Sequence, residues 1–331
     1  MLREQIIATN DVDLQNQRIT DEALYEMADG ISLSTSATKI GVDHDATMLP
    51  MGKVLHGKVV ESEKGSLELR AVLDDFSEEY IQFFGPDNEK LYFGYSRNDT
   101  RPFVDSVIDT DKDIAIGLNP IDFTDEGLCD ICEYIAEAEI GDVFTLAKKA
   151  EIPDIEIVIT VAKYAFYYWL LKKTVDKTTD KLADKFADDA VSLYEYIKGL
   201  AKKVFSGIKA DQRVTYVINA IEQPIEMVIQ CDKAEILARA MDKVDDGYIM
   251  ETYQKFKQHL NDGIHKMQFL YDATSEKWEL NYILSKQGQV IGTEKCYEKS
   301  VKLYRRLMNT PGAGFSLGAT VDYEVEEMPD A

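Results

Sequence analysis

Over residues 1 to about 120, the pattern of apolar and polar positions reads as β-rich, with short candidate strands and two helical stretches among them. Residues 2–9 form a first candidate strand. Thr20 then caps a short helix over 21–28, with Asp21 and Glu22 in its first turn as the helix dipole favours. Residues 39–44 read as a strand running into a loop, and Pro50-Met51-Gly52 as a turn. Residues 53–61 and 66–73 alternate about Glu63-Lys64-Gly65, which predicts a hairpin. Residues 76–84 predict a short amphipathic helix stopped by Gly85-Pro86. Strands over 90–96 and 114–118 complete this β-rich region.

From Thr124 the period lengthens. Thr124 caps a helix that runs to about Ala138, and a second is expected over 143–150. After Pro153 a helical pattern extends from about Ile155 to Phe205, bent around 174–179. Its first part holds Tyr164, Phe166, Tyr167, Tyr168 and Trp169 and is apolar nearly all round. Its second part sets Asp and Lys three and four apart, the spacing of a solvated amphipathic helix. Beyond Ser206-Gly207 come two strands divided at Pro224 (213–230), helix over 232–260 and a hairpin from 266–271 and 277–284. A strand at 288–292, a helix at 294–308 and a last strand at 314–324 follow. The expected fold class is α+β: a β-rich N-terminal domain (1–123), a helical middle (124–207) and a C-terminal mixed α/β module (208–331).

Composition narrows the function classes. A chain of 331 residues exceeds most single cores. With 60 acidic against 37 basic residues, the net charge is −23, which repels phosphate backbones and anionic lipid, so nucleic-acid binding is not expected. Neither a phosphate-cradling glycine loop nor an HExxH motif is present, and no nucleotide, other cofactor or metal is expected. Cys129 and Cys132 have CxxC spacing inside the helix expected after Thr124 and read as small hydrophobes of a reduced protein. Residues 1–13 do not resemble a signal peptide. The apolar run 155–171 is broken by Glu156, Thr160 and Lys163 and falls short of the roughly 20 residues that span a bilayer. It reads as a core helix first, with contact to a membrane or a partner helix second; the cytoplasm is the expected location.

Among the histidines, His259 and His265 read as ordinary surface and strand-entry residues. His44 lies between Asp43 and Asp45, at the end of a strand and before a turn. Flanking acids orient an imidazole and raise its basicity, as a general base for a serine nucleophile requires. A loop histidine bonded to one of those acids is the structural alternative. Trp278-Glu279-Leu280-Asn281-Tyr282 offers aromatic side chains for a small ligand, but their alternation is more simply the inner face of a sheet.

The segment 8–24, then His44-Asp45 followed by Pro50-Met51-Gly52-Lys53-Val54, then the hairpin ending in Leu67-Glu68-Leu69-Arg70-Ala71-Val72-Leu73, resembles the prohead (capsid-maturation) serine proteases of tailed phages. The likeness covers about a third of the chain. It implies a β-barrel like that of herpesvirus assemblins and a serine endopeptidase acting on a protein substrate or on itself. It also implies His44 as base and a nucleophile in a Gly-x-Ser setting on a later strand. Phe93-Gly94-Tyr95-Ser96-Arg97 fits that setting, which makes Ser96 the expected nucleophile, with Gly94 and Arg97 beside the oxyanion. Asp45, Asp105 and Asp109 are candidates for the third member. The segment 113–120 stands where the family has a strand ending near a proline, although it lacks that strand's usual serine. Gly314-Phe315-Ser316-Leu317-Gly318 matches the Gly-Ser motif more closely. Ser316 is the alternative nucleophile, and its use requires the last strand to return to the N-terminal barrel. The competing function is a non-catalytic assembly or interaction protein, phage structural or defence-associated, that keeps the barrel as a scaffold; an oligomer suits either reading.

Overall fold

A computed structural model describes residues 2–12, 17–41, 45–105, 107–108, 110, 112–137, 141–146, 155–162, 166, 170, 181–209, 212–244, 247–308, 316–317 and 325–327. The fold is mixed α+β, with six α-helices and large β-sheets among the described residues. The chain divides into two compact units, and each draws on separated stretches. The first comprises Met1–Asp105, Ala147–Pro153 and Tyr282–Ala331; the second comprises Ser106–Leu146 and Asp154–Asn281. The boundaries expected at 123/124 and 207/208 therefore fall inside the second unit, and the last stretch of the expected C-terminal module belongs with the N-terminal strands.

In the first unit, β1 (Leu2–Thr9), β3 (Thr38–Gly41), β4 (Gly52–Glu61), β5 (Leu67–Asp75) and β16 (Ser316–Leu317) form one sheet in the order β1-β5-β4-β3-β16. The expected β4–β5 hairpin is present. Ser62 and Ser66 close its turn, where Gly65 takes a φ of 84° that disfavours a side chain. Helix α1 (Asp21–Leu33) starts where Thr20 Oγ1 accepts the Ala23 N–H, and it runs past the expected end at residue 28. Its buried face, including Leu24 and Ile31, joins Ile40, Val54 and Leu69 in one core. Close approach is possible because a Cβ on Gly57 would stand 3.2 Å from the Ala28 Cα. A short pair links β2 (Gln17–Ile19) to β17 (Val325–Glu327).

A second set of strands in this unit pairs β6 (Ile81–Phe84) with β7 (Lys90–Gly94), β7 with β15 (Val290–Thr293), and β15 with the end of β14 (Lys277–Ser285). The helix expected over 76–84 is thus a turn followed by a strand. Ser77 N–H bonds Asp75 and Glu79 N–H bonds the Phe76 carbonyl, after which the short apolar run gains a ladder partner in β7. Gly85-Pro86 belongs to the hairpin loop, closed by Gly85 N–H to the Glu89 carbonyl. Helix α6 (Glu294–Met308) matches its expected bounds, and its Tyr297 stacks on Tyr92 of β7 at 3.9 Å between ring centroids.

The second unit holds β8 (Ile114–Leu118), β9 (Gly141–Thr145), β10 (Ile155–Val161), β11 (Val214–Ala220), β12 (Ile225–Cys231) and β13 (Ile264–Asp272), neighbouring in the order β9-β8-β10-β11-β12-β13. Its helices are α2 (Asp125–Glu137), α3 (Lys181–Gly207), α4 (Ala234–Asp242) and α5 (Tyr248–His259). Two expected helices are corrected here. Residues 143–145 lie in β9, parallel to β8, while 147–150 fall outside the described residues. Residues 155–161 are strand β10, paired on both sides and almost wholly buried; a strand buried on both faces reads as a continuous apolar run, which periodicity does not separate from a buried helix. The helix whose membrane contact was considered therefore begins as a central strand. No helix among the described residues is long and apolar enough to cross a membrane. The bend at 174–179 lies outside the described residues.

One row of polar side chains crosses this sheet in register. Thr160 stands opposite Asn219, Asn219 opposite Glu226, and Glu226 opposite Gln268. All are buried and satisfied: Thr160 Oγ1 donates to Asn219 Oδ1 (2.7 Å), Gln268 Nε2 and Lys266 Nζ donate to Glu226 (2.7 Å each), and Asn281 Nδ2 donates to Gln268 Oε1 (2.6 Å).

Candidate functional site

The expected nucleophile Ser96 follows the end of β7 and is 5% exposed. Its hydroxyl donates to Asp74 Oδ2 at 2.5 Å and accepts the N–H groups of Asn98 (3.1 Å) and Asp99 (2.8 Å). A serine has one proton to donate and two lone pairs, so all three capacities are filled. The arrangement is a serine turn, in which the side chain substitutes for a backbone acceptor. Asn98 Nδ2 adds a second bond to Asp74 at 3.0 Å.

Beneath this turn lies Lys53, fully buried on β4. Its ammonium donates to the carbonyls of Asp99 (2.8 Å) and Arg101 (2.5 Å) and sits 5.0 Å from the Phe103 ring centroid. Burial pushes Lys53 down to about 8, against the pull of Asp99 and Asp74. Arg101 closes the cluster with a bidentate pair to Asp99 and bonds to the Ile31, Ser34 and Leu55 carbonyls. Gly94 pairs with Val290 and faces the Tyr80 ring, while Arg97 is exposed and pairs with Glu79 at 3.4 Å.

His44 lies outside the described residues, as do Val42, Asp43 and Asp109. The flanking residues are informative. Strand β3 spans Thr38–Gly41, and from Asp45 the chain is fastened to α6. The Asp45 carboxylate accepts Thr47 N–H (2.9 Å), Thr47 Oγ1–H (2.6 Å) and an ion pair from Lys299 Nζ (2.8 Å). Burial opposes ionisation of Asp45, but the Lys299 charge and these hydrogen bonds outweigh it and hold its pKa below the usual carboxylate value. Lys299 also bonds Thr47 Oγ1 at 2.6 Å, Ser300 Oγ accepts the buried Leu49 N–H at 2.9 Å, and Cys296 Sγ donates to the Thr47 carbonyl at 3.6 Å. Asp105 is exposed.

Ser316 lies on β16, the strand reached from α6. The strand pairs antiparallel with β3, Ser316 opposite Gly41 and Leu317 opposite Ile40, so the last strand returns to the N-terminal sheet. The rest of the strand expected over 314–324 lies outside the described residues. The backbone register thus brings Ser316 beside β3, whose last residue Gly41 is three positions before His44 in the sequence, whereas Ser96 is tied to Asp74 in a buried turn.

Of the remaining candidates, Cys129 is exposed and bonds Glu133, and no described group of three His, Cys, Asp or Glu residues is arranged to hold a metal ion. Trp278 is buried, its indole N–H donating to the Ala240 carbonyl at 3.0 Å. Lys299, Thr47 and Ser300 were not singled out from the sequence. The Asp45-Ala46-Thr47 turn is a local signal, but its lysine partner becomes visible only when α6 is placed. No protein-family model, curated protein or solved structure matches the chain.

Proposed function

We propose that this protein is a serine endopeptidase of the prohead-protease type, acting on a protein substrate or on itself, with Ser316 as nucleophile and His44 as base. One observation carries the reading: β16 pairs with β3 with Ser316 opposite Gly41, three positions before His44 in the sequence. The family resemblance implies a nucleophile in a Gly-x-Ser setting on a later strand, and for Ser316 that calls for a last strand that returns to the N-terminal sheet, as β16 does. The sheet β1-β5-β4-β3-β16 is then this chain's counterpart of the family's barrel. Ser96 is set aside because its hydroxyl is saturated within a buried turn.

In this mechanism the Ser316 oxygen attacks the scissile carbonyl carbon while its proton passes to the His44 imidazole. The tetrahedral intermediate collapses as the imidazolium gives that proton to the departing amine, leaving an ester on Ser316. Water, deprotonated by the same imidazole, then hydrolyses the ester and regenerates the hydroxyl. Asp45 anchors the segment after the histidine through Lys299 and Thr47.

A second reading draws on a separate observation. Edge strand β6 exposes Ile81 (56%) and Phe84 (62%), which suits a non-catalytic assembly or interaction protein. Reaction with a fluorophosphonate probe separates the two. Labelling that vanishes in Ser316→Ala and His44→Ala and persists in Ser96→Ala is the expected result. Folded wild-type protein that does not label favours the interaction reading, and labelling lost only in Ser96→Ala overturns the assignment to Ser316.

A further inference from the structure

We propose that the outer edge of β6 takes an extended segment of another protein, apolar at its centre and basic at both ends, as an added strand. The inference rests on the interaction reading of β6 and names its partner; it does not depend on Ser316. Among the described strands β6 pairs with β7 alone, over Ile81–Phe84 and with no shift of register. Which of its backbone groups face outward follows from the hairpin. Gly85 N–H donates to the Glu89 carbonyl, and bonded and non-bonded pairs alternate along an antiparallel ladder. Phe83 with Leu91 and Ile81 with Phe93 are therefore bonded pairs, whereas the N–H and C=O groups of Gln82 and Phe84 turn away from β7. Exposed Ile81 lies on one face of this edge and exposed Phe84 on the other, so an added strand covers an apolar side chain on each face. Edge strands are ordinarily guarded by charge, proline or a bulge. At the end of the other sheet of this unit, β1 has a bulge between Ile6 and Ala8 and carries the Glu4–Lys58 pair. Short β6 has none of these from Ile81 to Phe84.

Charge selects the partner. Residues 77–89 contain Glu78, Glu79, Asp87 and Glu89 and no lysine or arginine, so acids bracket the apolar run on both sides. The nearest cations are engaged, Arg97 with Glu79 and Lys90 with Glu294. A second copy of the chain is the competing occupant. In an antiparallel pair of β6 strands, however, the 78–79 end of one copy meets the 87–89 end of the other, and like charges facing across a ladder destabilise it. The net charge of −23 adds to that repulsion. A segment with lysine or arginine at both ends turns each of these contacts into attraction, whichever way it runs along β6.

The probe is the peptide fluorescein-Gly-Gly-Lys-Lys-Val-Thr-Val-Val-Lys-Lys-amide, titrated with the full chain and read by anisotropy beside a peptide with glutamate for each lysine. Exposed charge pairs are weak singly, but four acids together are expected to favour the lysine peptide by about tenfold, and added salt to narrow the gap. An acidic surface attracts any basic peptide, so two variants test the edge itself. Gln82→Pro removes an outward N–H and leaves the ladder to β7 in place, and Phe84→Thr removes the apolar contact. Each is expected to weaken the lysine peptide by about tenfold. Amide exchange at Phe84 is expected to slow when the peptide binds wild type, and exchange at Leu91 shows whether each variant keeps its hairpin. Equal affinity of the two peptides overturns the proposal, as does wild-type affinity in either variant that keeps the hairpin. Failure of wild type to bind the lysine peptide overturns it too, and sedimentation of the free chain then decides whether the interaction reading falls with it. A dimer that is lost in Phe84→Thr keeps β6 as an interface between copies; a monomer removes the support that β6 gives the reading.

Discussion

Replacing Ser96 by alanine separates a structural hydroxyl from a catalytic one. The substitution removes a hydrogen bond to the Asp74 carboxylate and leaves the Asn98 and Asp99 N–H groups without their acceptor. A hydrogen bond to a charged group contributes about 1.5–3 kcal/mol, and each buried unsatisfied donor costs about 1–3 kcal/mol. Asp74 keeps its bond from Asn98 Nδ2, and the turn can relax toward water. The expected net loss is about 3 kcal/mol in the first unit. Both tryptophans, Trp169 and Trp278, belong to the second unit, so tryptophan emission reads the wrong one. Native-state amide exchange across β4 and β5 reads the right one. A loss of about 3 kcal/mol accelerates exchange through unit opening by roughly a hundredfold, at about 1.4 kcal/mol per tenfold. At a temperature where the variant is folded, fluorophosphonate labelling is expected to persist. A variant with wild-type exchange rates and no labelling would refute the reasoning, because it would make Ser96 a reactive group with no structural role.

Two further measurements probe the buried charges. Lys53 titrates near 8 when folded against an ordinary 10.5, so between those values the unfolded chain holds the proton that the folded chain has released, and stability rises with pH. Relative to Lys53→Met, wild type is expected to gain about 2 kcal/mol between pH 7 and pH 9.5 in the first unit; a flat difference contradicts an ammonium strained by burial. In the second unit, Glu226→Leu or Lys266→Met alone strands a buried charge and is expected to cost about 3–5 kcal/mol. The double variant should cost less than the sum of the two, read by chemical unfolding with Trp278 emission, and strict additivity would mean the pair does not interact.

Local chemistry was legible wherever it was self-contained. Thr20 and Thr124 announce helix starts because a hydroxyl before an apolar-periodic run satisfies the first free N–H groups, and both do so, Thr20 to Ala23 and Thr124 to Gly127. The β4–β5 hairpin follows from period-two alternation about Gly65, and α6 from a strong helical period between β15 and the last strand. Two of the misread segments share one cause. Residues 155–161 and 81–84 are short apolar runs with no decisive period, and they become strands because β11, β8 and β7 offer backbone partners from elsewhere in the chain.

The candidate site divides the same way. The residues by themselves singled out His44 between two acids, a local pattern, and the resemblance to prohead proteases added Ser96 and Ser316 in their glycine-containing motifs. Choosing between the serines depends on contacts between residues far apart in the chain, and periodicity carries no information about those. The tertiary structure alone decided that Ser96 closes a buried turn on Asp74, that Ser316 stands opposite Gly41, and that Lys299 reaches Asp45. Local preferences fix the elements, but the burial and backbone pairing that bring residues 282–331 back to the N-terminal sheet are long-range, and the proposed site exists only through them.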